Sequence, residues 1–165
     1  MAEFLPLSLL GSSSFFESDT LMAFRGNFEY TLDAKNRLTI PAKFRAELAA
    51  GIVVAKGLEP YASIWTPSVF ETFTRGILQN LNPLSQEATR MSRFFNAGSF
   101  DGELDASGRV MLPQPIIEHA GLGKEVVIVG NDDHLELWDR TQWATYEAEL
   151  DATVAQTVEK IVNPA

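Results

Sequence analysis

Residues 32–41 read LDAKNRLTIP, and residues 104–113 read LDASGRVMLP. Both stretches hold Leu-Asp-Ala, then Arg four residues after the Asp, then Pro four residues after the Arg, while the positions between them change. Asp33 and Asp105, Arg37 and Arg109, and Pro41 and Pro113 are each 72 residues apart. Further out the offset becomes 73, for Gly57 and Gly130, Trp65 and Trp138, and Phe70 and Trp143. One inserted residue over some forty positions marks a duplicated unit. A unit of roughly fifty residues is too small to bury a good core alone. Two copies about a pseudo-two-fold axis can close their sheets into one barrel and bury both sets of Val, Ile and Leu.

Each copy has the same grammar. In the first, alternation predicts a strand over 24–32, turn residues over 33–36, and a second strand over 37–40 that stops at Pro41. Pro41 opens a short helix over 42–48. A β-branched strand, a turn at 57–61 and the return strand ASIW follow, and Thr66 caps a helix with Pro67 in its first turn. The second copy repeats this through RVML, PIIEHAGL, KEVVIVG, the turn NDDH and LELW, and Asp139 or Thr141 caps a last helix over about 142–162. Between the copies, 81–98 extends the helical region after a break at Asn82-Pro83. The organisation expected is residues 22–95 as one repeat with its linking helices and 96–165 as the other with a C-terminal helix. Residues 1–21 match neither copy and read as a disordered extension, with a second start at Met22. The run FLPLSLL lacks the preceding bases of a secretory signal and is too short to span a bilayer.

With 45% hydrophobic and 21% charged residues, the 165-residue chain is expected to fold as one domain or two halves sharing a core. It has no cysteine, which removes disulfides, thiolate metal sites and thiol nucleophiles and fits a reducing cytoplasm. Only His119 and His134 are available for a His-rich metal site. The net charge of -9 is uneven: residues 22–95 carry nine bases against six acids, and residues 96–165 carry four against thirteen. Such asymmetry suits one face for a polyanion and another that avoids it.

Asp-x-x-x-Arg has a local structural explanation. The carboxylate can accept backbone N–H bonds across the turn, Asn36 or Gly108 supplies the left-handed position, and the Arg can return to the carboxylate as a bidentate pair. The copies then differ. Lys35 and Arg37 lie in the first turn, Lys43 and Arg45 on the following helix and Arg25 upstream, whereas the second turn offers Arg109 alone and its helix carries Glu118. That asymmetry predicts one turn that touches phosphates and bases and one that mainly scaffolds.

The two motifs, with VVIVGNDDHLELWDRTQW after the second, resemble the MraZ family over about residues 22–150. The resemblance implies a mainly β fold with short helices, a pseudo-two-fold double-split β-barrel of the AbrB/SpoVT type with peripheral helices. It also implies a ring-shaped homo-oligomer that represses transcription by binding double-stranded DNA at repeated promoter boxes upstream of a cell-wall and division operon. Location in the cytoplasm over the nucleoid, no membrane, no small-molecule substrate, no metal and no cofactor go with that reading. The first copy has Asn36 where the family pattern has Gly. The expected DNA contacts are Arg37 to a base edge, Lys35, Lys43 and Arg45 to phosphates, and Arg25 and Arg109 in support. Asp33, Asn36, Asp105 and Gly108 build the turns.

Other classes fit less well. Two pseudo-symmetric Asp residues suggest an aspartic-protease dyad, but each has an Arg four residues on that holds it ionised. NDDH over 131–134 could ligate a metal, yet its place between apolar strands reads as a polar turn. Ser12 to Ser14 lack a partner for hydrolysis. A non-DNA-binding oligomer that inhibits a protein partner is the alternative, carried by Trp143, Tyr146, Leu150, Val154 and Val158, which form an amphipathic stripe.

Overall fold

In the computed structural model, which describes residues 23–164, the β-branched runs form the middle of one sheet. The strands are β1 (Asn27–Thr31), β2 (Arg37–Thr39), β3 (Ile52–Lys56), β4 (Ala62–Trp65), β5 (Ser99–Gly102), β6 (Arg109–Met111), β7 (Glu125–Asn131) and β8 (His134–Asp139). The helices are α1 (Arg45–Leu48), α2 (Pro67–Leu78), α3 (Gln86–Ala97), α4 (Gln114–Ala120) and α5 (Arg140–Val162). Six strands run in the order β1-β7-β8-β4-β3-β5, and β2 and β6 form a separate two-stranded ribbon. The pseudo-two-fold axis passes between β4 and β8, where Ala62 lies opposite Leu137 and Ile64 opposite Leu135. The expected extension over residues 1–21 and the start at Met22 lie outside the described residues.

Side chains alternate across a strand, so each β-branched run serves two layers. Ile52, Val54, Ile64, Val126, Ile128, Leu135 and Leu137 point to one side and meet Leu38 and Val110 of the ribbon, with Phe44, Leu48 and Ile116 beneath α1 and α4. Val53, Ala55 and Trp65 point to the other side, under Val69, Phe70 and Phe73 of α2. Each fully buried Leu or Ile contributes about 1.5–3 kcal/mol. The ribbon thus closes the core of the large sheet, an arrangement that fits the α+β, mainly β class and the split barrel expected.

The pairing explains why two copies are needed. β1 pairs with β7, β3 with β5, β2 with β6 and β4 with β8, and each of these pairs joins one repeat to the other. Either half alone would leave its outer strand and half of the ribbon without hydrogen-bonding partners. The halves also exchange aromatic cover. Tyr61 of the first stacks on Trp138 of the second at 5.2 Å, and His134, its counterpart at an offset of 73, stacks on Trp65 at 4.1 Å. Burial opposes protonation of His134, but the Glu136 carboxylate 3.9 Å away and the hydrogen bond to the Asp133 carboxylate outweigh that and leave its pKa raised.

Several local expectations need correction. The turn over Asp33 to Asn36 joins two strands that do not pair with each other: β1 leaves for the large sheet and β2 for the ribbon. Regular pairing of the first strand starts at Asn27, because Gly26 takes a positive φ of 92° and Phe24 makes only an isolated bridge to Asp132. A Cβ at Gly130 would overlap the Phe24–Arg25 backbone, which explains the glycine there. The helix after Pro41 starts as a 3-10 turn over Ala42–Phe44. Thr66 occupies the N-cap of α2 without capping it, and its buried hydroxyl has no partner among the described residues. Asp139, not Thr141, caps α5 by accepting from the N–H groups of Thr141 and Gln142. Only the N-terminal end of α5 packs on the sheet, through Trp143 and Tyr146 against Trp138.

Candidate nucleic-acid interface

Both Asp-x-x-x-Arg turns have the same internal wiring. Asp33 Oδ1 accepts from the N–H groups of Lys35 and Arg37, each at 2.9 Å, and Oδ2 accepts from Arg37 Nε at 2.6 Å. Asp105 Oδ1 accepts from the N–H groups of Ser107 and Arg109, and its Oδ2 from Arg109 Nε, all at 2.9 Å. The expected bidentate pair is therefore half backbone: one oxygen holds main-chain N–H groups, and the guanidinium engages the other through Nε alone. The terminal nitrogens of Arg37 make no hydrogen bond or ion pair among the described residues, and the side chain is 28% exposed. An Asp-oriented arginine with its fork turned away is pre-organised for a planar acceptor.

The Arg37 N–H is the main cause that lowers the Asp33 pKa from 3.8 to about 2, against some burial and with help from the guanidinium and the Lys35 N–H. Asp105 is lowered in the same way, chiefly by the Arg109 N–H. A carboxylate depressed on folding stabilises the native state above its ordinary pKa and loses that contribution as pH falls through the folded value. Wild-type protein should therefore exceed Asp33→Asn in stability at neutral pH. The gap should narrow below pH 3.8 and close near about 2. Denaturant midpoints across that range check this, and a gap that ignores pH would refute it.

The β2–β6 ribbon joins the turns. Leu38 and Val110 face the core, so Arg37, Thr39, Arg109 and Met111 share the outer face, where Met111 is 61% exposed. Arg109 also lies 3.7 Å from Asp33, crossing from the second motif to the first. Lys35 stands exposed in the first turn. Asp33, Lys35, Asn36, Arg37, Asp105, Gly108 and Arg109 are thus gathered on one ribbon and its ends. Lys43 lies on α1's approach with its ammonium 4.4 Å from the Phe28 ring centroid. Arg25 is not brought to this group: β1, about 17 Å long at strand rise, separates it from Asp33.

Arg45 has a role that the sequence pattern did not suggest. Its Nε donates to the Ile40 carbonyl at 2.9 Å, and its guanidinium packs against Gly108 of the other copy. Gly108 has φ 74°, and a Cβ there would overlap that guanidinium. Ile117 occupies the corresponding place in the second copy and lines a shallow cavity with Asn36, whose φ is 57°. Asn is tolerated in the first turn because no arginine presses on it. The sequence carries only a correlate, that the copy with Arg on its helix is not the copy with Gly in its turn; the contact itself is made by the fold. Gly108→Ala should cost about 1–2 kcal/mol from the left-handed backbone alone, and more for displacing Arg45. Asn36→Gly should change little. Thermal melts compare them, and equal melting temperatures for the two variants would remove the contact's importance.

A family model described as "MraZ protein, putative antitoxin-like" matches the chain twice in tandem, over residues 23–95 and 94–162. The chain belongs to the MraZ family. It is 33% identical to the Transcriptional regulator MraZ of Natranaerobius thermophilus over 140 residues, 85% of this chain and 97% of that one. The protein of the same name from Nocardioides sp. is 37% identical over 140 residues, 84% of this chain and 96% of that one. A third, from Symbiobacterium thermophilum, is 35% identical, with 82% of this chain and 98% of that one covered. MraZ proteins are regulators of transcription rather than enzymes. In this chain each of the two carboxylates holds its own turn and is kept ionised chiefly by the main-chain N–H of its motif arginine, which leaves no place for the shared proton of a protease dyad. No helix among the described residues is long and apolar enough to cross a membrane.

Proposed function

We propose that the chain is a sequence-specific DNA-binding repressor, acting as a ring-shaped homo-oligomer at short repeated boxes upstream of a cell-wall and division operon. The observation that supports this best is the outer face of the β2–β6 ribbon, where Asp33 and Asp105 orient Arg37 and Arg109 and Lys35 stands free beside them. A two-stranded ribbon fits the major groove, where the guanine edge presents two acceptors to an arginine fork. Arg37 reads guanine, Lys35 meets a phosphate, and Thr39 and Met111 present apolar atoms to the groove. Arg109 supports from the second turn. Lys43 and the terminal nitrogens of Arg45 meet phosphates on the flank, and Arg25 contributes only long-range charge.

A single ribbon with so few cations grips DNA weakly at physiological salt. Repetition around a ring presents many ribbons to boxes about one helical turn apart, and avidity replaces a large basic surface. That makes a net charge of -9 compatible with a polyanionic partner. Residence in the cytoplasm over the nucleoid follows from the same reading, as does the division into repeats at 22–95 and 96–165. Footprinting on the upstream region tests it: protection should recur at helical-turn spacing and weaken steeply with salt. Binding that is absent, or indifferent to salt, would leave the family's regulatory role to be met through a protein partner.

A further inference from the structure

Pseudo-symmetry exposes an unfilled place in this fold. α5 is the counterpart of α2: Trp143 matches Phe70, Tyr146 matches Phe73, Leu150 matches Ile77 and Val154 matches Leu81, all at an offset of 73. In the first repeat α3 folds back on α2, bringing Phe95 to 6.0 Å from Phe73, and Ile77 and Leu81 are half-buried. Among the described residues the second repeat has no equivalent of α3. Beyond Glu147 every described residue of α5 is exposed, including Leu150 at 42%, Val154 at 48%, Val158 at 52% and Ile161 at 72%. Steps of three and four residues put these four on one stripe of a projecting helix, about 22 Å long over residues 148–162. Water-exposed apolar stripes of this extent mark interaction sites.

The same chain offers a surface that fits it. α2 and α3 enclose an open groove of about 570 Å³ with Leu78, Pro83 and Ala88 in its lining and Arg75, Ser92 and Arg93 around them. The projecting part of α5 carries Glu149, Asp151 and Glu159 against Lys160 alone, whereas α2 and α3 together carry Arg75, Arg90 and Arg93 against Glu71 and Glu87. We propose that the α5 arm of one subunit lies in the α2–α3 groove of the next. Two α5 arms packed on each other would set like charges side by side, so the arm-to-groove contact is the favoured one. Such a contact is heterologous, joining two different surfaces, and propagates around a ring when its rotation closes. The docking itself needs only a second copy, while closure into a ring rests on the oligomer proposed above.

The absence of native cysteine makes the test direct. Val158→Cys and Ser92→Cys chains with different tags are co-expressed, purified and oxidised. The expected product is a covalent dimer containing one chain of each kind, with no covalent dimer from either variant alone. Val154→Asp, at an exposed helical position, should keep its helical circular dichroism while the mass by light scattering drops. Cross-linking of Val158→Cys with itself would overturn the proposal in favour of paired arms. An intact assembly with no mixed cross-link would overturn it while leaving the ring reading in place. A wild-type protein that sediments as single chains would remove both.

Discussion

Arg37→Ala should abolish footprinting at the promoter boxes while the protein still folds and assembles. Among the described residues Arg37 makes its only ion pair with Asp33, through Nε, and Asp33 keeps the Lys35 and residue-37 main-chain N–H groups when that side chain is cut away. The turn therefore survives, and what disappears is the fork. A well-formed arginine–guanine contact is worth about 1–3 kcal/mol, so each engaged ribbon loses roughly five- to 150-fold in affinity. Losses from several ribbons on one assembly compound, which takes binding below detection. Arg37→Lys keeps the charge without the planar fork and should retain only the weak, salt-sensitive component. Gel shift and light scattering on the same preparations give the answer. Near-normal binding by Arg37→Ala would move the reading head elsewhere.

Phe44→Ala should produce a large loss of stability. Phe44 is 1% exposed and meets Phe24 and Phe28 edge to face, with ring centroids at 5.2 and 5.7 Å. Its removal forfeits transfer energy and leaves a cavity, together about 3–5 kcal/mol. In a protein of this length that lowers the melting temperature by roughly 6–20 °C. Phe44 also immediately precedes Arg45, so a loosened α1 releases the brace on Gly108 and the Lys43 ammonium over the Phe28 ring. DNA affinity should fall with stability even though no proposed contact is mutated. A melting curve that shifts by less than a degree or two would mean that α1 is not anchored through this ring.

The turn chemistry was legible because it is local. Asp33 and Arg37 lie within five residues, and the left-handed position at Asn36 or Gly108 follows from backbone sterics alone. The strands were legible for a similar reason, since β-branched runs such as residues 52–56 and 125–131 have few other uses. The bracing arginine was not. Nothing near Arg45 in the chain points to Gly108, sixty-three residues away; the fold brings them together only after both repeats have interleaved. Likewise, alternation could not tell that β1 and β2 part company at Asp33, because pairing partners are chosen by the whole core and not by the connecting turn.

Read alone, the amino-acid order established a duplicated unit, its element types, the two carboxylate–arginine turns and the basic bias of the first copy. Those properties depend on spacing and on interactions a few residues long. Folding in three dimensions chose the cross-repeat partners, collected Arg37, Thr39, Arg109 and Met111 on one outer face, sent Arg25 to the far end of β1 and, among the described residues, left α5 beyond Glu147 without cover. These outcomes depend on contacts between residues far apart in the chain. Such contacts are settled by the joint burial of both repeats' apolar faces, a quantity that no short window of sequence contains.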